Sequence, residues 1–421
     1  MSSVLDRILG AARQLGASDV HLKAGLPPIF RIRGELRTVR DVPPLSKEVL
    51  LQFAQGMMND VLRKEFEKNW DTDLAYQTPD GVRYRVNAFL QRGAVGMVMR
   101  LIPPDVPPLE SLNLPTRVAK FAEEERGLVL VTGITGSGKS TTLAAMVDHI
   151  NSTRACHIVT IEDPVEYTFK DRRSVINQRE VGFDTRSFAR ALRAALRQDP
   201  DVVLVGEMRD LETVEIAMTA AETGHLVLST LHTVDAVETV NRIISLYTPH
   251  QQAQARLQLL TVLRGVVSQR LVPRADGKGM IPATEILVNT ARVKELIADP
   301  ARTREIRDAI NTGREPYGMV SFDQALTELV QRRLITYDEA VGSSTNPDDF
   351  ALHFRGVSRG GGTTDNRAAN IYGDKLNAAD APKGHVSQEE VRDVTATRVN
   401  EASPFMQGSG QYDPNAGRGG R

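Results

Sequence analysis

The sequence has one cysteine, almost no net charge and no long apolar run, and each scarcity excludes a class of protein. Cys156 alone cannot form an internal disulfide or a multi-thiolate metal site, which is typical of a reducing compartment. The 52 Lys and Arg balance 53 Asp and Glu, so no basic excess indicates DNA as a partner. Nowhere do about 18 apolar residues run together. We therefore expect a cytoplasmic protein without a signal peptide or membrane span, at most peripheral to a membrane.

The first part of the chain is predicted to be a small α+β domain. The length of 421 residues is too great for one ordinary domain. Within residues 1–102, apolar residues recur at helical spacing over 4–15, and short alternating segments typical of strands follow at 19–22, 29–32, 83–89 and 95–101. Four prolines in residues 102–108 prevent helix and sheet pairing. They predict a stiff linker over 103–115.

The remainder divides into an α/β domain and a tail. In residues 116–355, apolar runs, glycine-rich turns and helical segments alternate, which indicates buried parallel strands separated by helices. The last 66 residues, 356–421, hold 11 of the 32 glycines and few large apolar side chains. Such a composition cannot offset the entropy lost on ordering. We expect the tail to be disordered.

A complete phosphate-binding pattern, G-x-x-x-x-G-K-[ST], lies between an apolar strand and a predicted helix. It comprises Gly133, Ile134, Thr135, Gly136, Ser137, Gly138, Lys139 and Ser140, and Thr141 follows it. The glycines let backbone N–H groups converge on phosphate oxygens at the positive end of the helix. Lys139 can reach the β- and γ-phosphates and Ser140 can ligate Mg²⁺. The sequence therefore predicts a site for ATP and Mg²⁺.

Ionisable side chains that could take part in catalysis follow three further predicted strands. Glu207 ends the apolar run 202–205 in the layout of a Walker B acid, and it is the candidate general base. Glu162 opens a group of three carboxylates after the run 157–161, where a magnesium ion or its water would relieve their repulsion. His232 follows the run 226–231 and is a candidate γ-phosphate sensor. The alternatives are a solvated strand-end glutamate, an acidic loop in water and a plain hydrogen-bonding histidine.

Four motifs in fixed order carry a resemblance to a known family. The segments GITGSGKST, IEDPVEY, DPDVVLVGEMRD and GHLVLSTLHT resemble the Walker A, Asp box, Walker B and His box of the secretion ATPase superfamily, which includes type II secretion and type IV pilus motors. GASDVH at 16–21 is similar to its amino-terminal strand signature. The resemblance covers about residues 1–355. Segments 322–326, 334–340 and 346–350 are similar to the carboxyl-terminal end of the pilus retraction ATPases.

The resemblance implies a fold, an assembly and further site residues. It implies a RecA-like P-loop ATPase domain preceded by a small PAS-like domain, in a homohexamer with ATP between the P-loop domain and a neighbour's amino-terminal domain. Arg85 in RYRVNAF and Arg100 in VMRLIP look like the family's trans-acting arginines. The implied partners are the pilus platform protein at the cytoplasmic face of the inner membrane and a second pilus ATPase.

Two absences favour retraction over extension within this family, and one departure opposes it. Extension and secretion motors carry an additional amino-terminal domain and a tetracysteine zinc module, whereas this chain starts at the smaller domain and has one cysteine. Retraction ATPases carry a motif close to AIRNLIREGK, and residues 291–300 keep its apolar spacing but not its basic end. The resemblance implies an ATP hydrolase that drives pilus retraction and twitching motility.

Other functions remain open at this point. The chain could be an accessory paralogue of the retraction motor, or a regulatory protein in which ATP stabilises assembly without turnover. It could also be a secretion or nucleic-acid translocase of the same superfamily, because Arg190, Arg193 and Arg197 recur along one face of the helix predicted over 187–198. ATPase stimulation by DNA that weakens steeply with salt would favour the translocase.

Overall fold

The computed structural model describes residues 4–32, 34–39, 42–103 and 105–354. The predicted disordered tail, 356–421, lies outside the described residues. The described chain divides into two units with separate hydrophobic cores, the first ending at residue 103 and the second beginning at Asp105. None of the described helices is both long enough and apolar enough to cross a membrane.

The first unit is a six-stranded antiparallel sheet with three helices. In chain order its elements are α1 (Val4–Gln14), β1 (Ala17–Leu22), β2 (Ile29–Ile32), β3 (Glu35–Thr38), α2 (Lys47–Met57), α3 (Asp60–Asn69), β4 (Asp71–Gln77), β5 (Arg83–Gln91) and β6 (Ala94–Leu101). The strand order is β3-β2-β1-β6-β5-β4. The predicted α+β class of this part is confirmed.

Local sequence explains why only some of these elements are predictable. In α1, Leu5, Ile8, Leu9 and Ala12 are buried at helical spacing. Helix α3 buries only Leu62, and β3 buries no residue. Such elements lack an apolar period, so the sequence analysis does not find them. Helix α3 is capped locally by the Asn59 side chain, whereas β3 is held by its pairing with β2.

The range expected to be a linker, 103–115, contains more structure than its prolines indicate. A single 3₁₀ turn spans Leu109–Leu112. Leu109 and Leu114 are buried in the core of the second unit. The prolines precede this turn, so they leave its hydrogen bonds intact, and the apolar side chains that follow them anchor the segment.

The second unit is a seven-stranded sheet with helices on its faces. Its strands are β7 (Gly127–Thr132), β8 (His157–Glu162), β9 (Val175–Glu180), β10 (Val202–Val205), β11 (Leu226–Leu231), β12 (Leu263–Pro273) and β13 (Met280–Val288). Its helices are α4 (Arg117–Ala122), α5 (Lys139–Thr153), α6 (Phe188–Ala195), α7 (Leu211–Glu222), α8 (Ala236–Ser245), α9 (Gln252–Val262), α10 (Ala291–Ala298), α11 (Ile306–Thr312), α12 (Phe322–Gln331), α13 (Tyr337–Ser343) and α14 (Pro347–Phe354), with a 3₁₀ turn at Thr303–Glu305.

The strand order β13-β12-β7-β11-β10-β8-β9 places the P-loop strand inside the sheet. All pairs from β12 to β9 are parallel, and only β13 is antiparallel to its neighbour. Every residue of β7, β10 and β11 is buried, because helices cover both faces of a parallel sheet. The predicted buried parallel strands are confirmed, and the sheet is larger than predicted.

Candidate active site

The strand order brings the predicted groups to one edge of the second sheet. Strand β7 pairs with β11, β11 with β10, and β10 with β8, all in parallel. The carboxyl ends of these strands lead into the P-loop, His232, Glu207 and Glu162 in turn. Ligands of open α/β sheets bind at this edge.

The P-loop backbone is packed too tightly for side chains at its first glycine. A Cβ atom on Gly133 would collide with the carbonyl oxygen of Gln269 and the hydroxyl of Ser137. Gly138 adopts φ 90° as the residue that caps α5, a left-handed conformation that glycine adopts without strain. The 15-residue helix α5 then starts at Lys139. The loop therefore presents backbone N–H groups at the positive end of a helix, as an anion site requires.

Lys139 is held inside the loop by the loop's own carbonyl groups. Its Nζ donates to the carbonyl oxygens of Gly133 and Ile134, both at 2.9 Å. Burial lowers the pKa of Lys139, and the charges of Glu166 and Glu207 oppose that shift. The ammonium group is thus placed where phosphate oxygens can replace the two carbonyl groups as acceptors.

The remaining predicted loop residues differ in exposure. Ile134, Thr135 and Gly136 are exposed, Ser137 is buried, and Ser140 and Thr141 are half-buried. The hydroxyl of Thr141 lies 3.0 Å from that of Tyr167, which connects the helix to the segment after β8. Ser140, the predicted magnesium ligand, is therefore accessible at the first turn of α5.

Glu207 contacts two basic side chains at the end of β10. Its side chain is 13% exposed, and Arg209 Nε lies 2.6 Å from its Oε1. His232 Nε2 lies 3.4 Å from its Oε2. Thr230 donates a hydrogen bond of 2.6 Å to the carbonyl of Gly206 and so fixes the turn before Glu207. The structure brings Glu207 and His232 into contact, and it adds Arg209.

Glu162 is buried at the end of β8. Thr160 Oγ1 and Gln178 Nε2 donate to its Oε1 at 2.6 and 3.2 Å. Burial raises the pKa of Glu162 although these hydrogen bonds oppose the shift. Glu166, from the same acidic segment, is exposed. Of the three carboxylates, Glu162 alone is buried, whereas Asp163 and Glu166 are exposed.

The donor set fits a nucleotide and a magnesium ion. Ser137 Oγ is buried and has no hydrogen-bond partner in the described part of the chain, and Gly133 has no room for a Cβ. No group of three or more His, Cys, Asp or Glu capable of holding a metal occurs among the described residues. Mg²⁺ beside phosphates usually takes only one or two protein ligands, so Ser140 and Glu162 are compatible with it.

The two candidate arginines are neighbours in the first unit. Arg85 on β5 is the register partner of Arg100 on β6, and both are exposed. Arg100 Nε donates to Asp19 Oδ1 at 2.8 Å. Burial acts to raise the pKa of Asp19, but the hydrogen bonds from Arg100 and Ser18 outweigh it and lower the pKa. The two guanidinium groups therefore form a basic pair on one sheet face, with Asp19 orienting Arg100.

Several contacts at the site have no signal in the sequence motifs. Gln178 reaches Glu162 from strand β9, Arg209 pairs with Glu207, and Gln269 lies against Gly133 from β12. Arg209 could have been noticed because it stands two residues after the Walker B acid. Gln178 and Gln269 could not, because their position depends on strand pairing.

Comparisons with known proteins give the family. The family described as "Type II/IV secretion system protein" matches residues 1–354. The type IV pilus retraction ATPase PilT of Pseudomonas aeruginosa is 43% identical over 346 residues, 82% of this chain and 99% of that protein. The type IV pilus ATPase PilU of the same organism is 40% identical, over 82% of this chain and 90% of its own length.

A solved structure supports the same relationship. A crystal structure of the retraction motor PilT with bound ADP matches with a TM-score of 0.76 at 43% identity, over 83% of this chain and 98% of that one. Sequence and fold thus agree over nearly the full length of these relatives. The chain belongs to the type II/IV secretion system protein family and, within it, to the PilT-like ATPases.

Proposed function

We propose that this protein is an ATPase that drives type IV pilus retraction. The observation that carries the proposal is the arrangement of a complete P-loop beside Glu162, Glu207 and His232 at one edge of a parallel sheet. It is supported by the relative that is named a pilus retraction ATPase and by the PilT structure with bound ADP. ATP is the proposed substrate and Mg²⁺ its cofactor.

The P-loop residues would bind the phosphates. The N–H groups of residues 133–138 and the Lys139 ammonium would neutralise the phosphate oxygens. Ser140 and Glu162 would hold Mg²⁺, which when bound supplies further positive charge at the phosphates. Thr160 and Gln178 orient Glu162 by hydrogen bonds to one of its oxygens.

Glu207 would act as the general base. It would accept a proton from the water that attacks the γ-phosphorus, while the bond from that phosphorus to the β–γ bridging oxygen breaks and ADP leaves. His232 contacts the second carboxylate oxygen and would hold Glu207 in position. Arg209 contacts the first oxygen and would orient it, while the second lone pair of that oxygen stays available to the water.

Assembly and partners follow from the same proposal. We propose a homohexamer in which Arg85 and Arg100 of one subunit reach the ATP of its neighbour, where a fixed guanidinium fork suits phosphate oxygens. The hexamer would act on the pilus platform protein at the cytoplasmic face of the inner membrane. The limits 1–102, 103–115 and 116–355 are proposed as its domains and connecting segment.

The nucleic-acid translocase receives less support. Helix α6 ends at Ala195, before Arg197, so the predicted helix over 187–198 is too long at its carboxyl end. Arg193 pairs with Glu212 at 2.5 Å, and Arg197 Nη1 donates to the carbonyl of Arg193 at 3.1 Å. Two of the three arginines are therefore engaged within the protein rather than presented to phosphates.

The proposed function is tested in cells of the source organism. The gene is deleted and restored as wild type or as Lys139→Ala, and retraction of fluorescently labelled pili is recorded. We expect retraction with the wild-type gene and none with the variant. Retraction that persists in the Lys139→Ala strain would refute the cellular role. If the purified chain hydrolyses ATP in that case, the accessory role becomes the better assignment.

A further inference from the structure

Gln269 lies against the P-loop at two glycines. Ser268, its neighbour on β12, is the register partner of Thr132, the last residue of the P-loop strand. Gln269 is 2% exposed. Its carbonyl oxygen occupies the space where a Cβ on Gly133 would project, and its Nε2 lies 3.7 Å from the corresponding position on Gly138. The residue therefore supports both ends of the loop from the neighbouring strand.

Gln269 and Ser137, which both line this contact, each carry a buried polar side-chain atom. Gln269 Oε1 and Ser137 Oγ have no hydrogen-bond partner within the described part of the chain, although both residues are only 2% exposed. Ser137 Oγ crowds the same position next to Gly133 as the Gln269 carbonyl. Buried polar groups are rarely left unpaired in native proteins, and each exception calls for an explanation.

The hydrogen bonds of the Lys139 ammonium group indicate what would change when phosphate binds. The ammonium group donates to the carbonyls of Gly133 and Ile134. When the ammonium group donates to phosphate oxygens instead, the two carbonyl groups lose their hydrogen-bond donor. A carboxamide next to the loop supplies both missing functions, since its nitrogen donates to a carbonyl and its oxygen accepts from a serine hydroxyl.

We propose that Gln269 is a positioning residue for nucleotide binding, whose side-chain amide pairs with Ser137 and the released loop carbonyl groups once phosphate occupies the loop. This inference rests on the proposed function, because it needs a nucleotide in the P-loop. Gln269 touches no phosphate itself. It stabilises the loop in its nucleotide-bound form and contributes nothing comparable to the free protein.

The free protein gives the first part of the test. Gln269→Leu removes the amide and keeps a side chain of similar size. Since the amide oxygen has no partner among the described residues, thermal unfolding of the full chain without nucleotide should show no loss of stability. A large drop in Tm would instead assign Gln269 an ordinary structural role and overturn the proposal.

Nucleotide binding gives the second part. Calorimetric titration of ADP into the full chain should show a Kd about 5- to 25-fold higher for Gln269→Leu, the loss expected for one or two hydrogen bonds. KM for ATP should rise by a similar factor, with kcat at saturation retained. The matched control is Thr284→Val on β13, opposite Gln269. It removes a buried hydroxyl that has no hydrogen-bond partner in the residues the structure describes, and it should leave the Kd unchanged.

A double-mutant cycle identifies the partner. Ser137→Ala combined with Gln269→Leu should weaken ADP binding no more than the stronger single variant, because both remove the same hydrogen bond. Additive losses, or a Kd for Gln269→Leu equal to that of wild type, would refute the inference. If the wild-type chain binds no ADP, the proposed function is refuted, and the inference about Gln269 is refuted with it. Binding by wild type and Gln269→Leu with equal affinity refutes this inference alone.

Discussion

Glu207 and Arg209 form an ion pair at the end of β10, with 2.6 Å between Oε1 and Nε. The glutamate side chain is 13% exposed and the arginine 72% exposed, so the guanidinium reaches the carboxylate from solvent. A carboxylate that takes a proton from water needs a lone pair directed at that water. Each carboxylate oxygen keeps a second lone pair beside its Arg209 or His232 contact, so Glu207 is the first residue to test as the base.

Replacement of Glu207 by glutamine should separate binding from hydrolysis. Glutamine keeps the shape but cannot accept the proton, so we expect ATP turnover to fall about 100- to 10,000-fold while ADP binding persists. Phosphate release and calorimetry measure the two effects. The control is Glu212→Gln, at a half-exposed glutamate paired with Arg193. Near wild-type turnover in Glu207→Gln would remove Glu207 as the base.

Replacement of Lys139 by alanine should abolish tight nucleotide binding. The variant loses a buried ammonium group that donates two hydrogen bonds in the loop, and charge-assisted bonds of this kind contribute strongly to phosphate binding. We expect the Kd for ADP to rise at least about 100-fold, measured by calorimetry. Lys170→Ala, at an exposed lysine of the same unit, should bind ADP normally. Equal affinity in both variants would contradict the assignment.

Mixing experiments test whether Arg85 acts on a neighbouring subunit. Arg85→Ala and Lys139→Ala should each have little ATPase activity alone. If Arg85 serves the neighbour's site, mixed oligomers contain some sites with both groups intact, and activity should recover on mixing. If the ATPase activity of the mixture only equals the sum of the activities of the two separate variants, Arg85 does not act between subunits. Arg37→Ala, at an exposed-strand arginine paired with Glu35, is the control and should remain active.

The stability of the second unit should depend on the ionisation of Glu285. Burial raises the pKa of this carboxyl to about 7, and Asp235 adds to the shift, while the N–H of Ala236, Arg307 and Arg270 oppose it. An unfolded chain has a glutamate pKa of about 4.3. Because the folded pKa is the higher one, the stabilising contribution is complete below about pH 4 and is lost as the pH rises through about 7.

Glu285→Gln tests this dependence by chemical unfolding between pH 5 and 8. The amide oxygen can still accept the hydrogen bond from Ala236 N, which measures 2.9 Å in the wild type. We expect the variant to be more stable than wild type at pH 8, by up to about 3 kcal/mol, and the difference to shrink towards pH 5. Glu295→Gln, at an exposed position, should show no such change. A difference independent of pH would contradict the assignment.

The sequence predicts those parts of the site that depend on neighbours along the chain. The P-loop spacing from Gly133 to Ser140 and the apolar run before Glu207 are local patterns, and they predict a glycine-rich loop before a helix and an acid after a strand, where the structure has them. Helix α3 and strand β3 escape prediction because their residues are largely exposed. Their formation depends on caps and strand pairing rather than on an apolar period.

By itself, the sequence determined the family motifs, the class of both folded parts and the residues that can bind phosphate, because short-range spacing dictates backbone conformation and side-chain chemistry. Only the tertiary structure decided which groups meet. The parallel order of β7, β11, β10 and β8 places His232 against Glu207, and the pairing of β12 with β7 places Gln269 beneath Gly133. These contacts join residues far apart in the chain, so no local pattern encodes them.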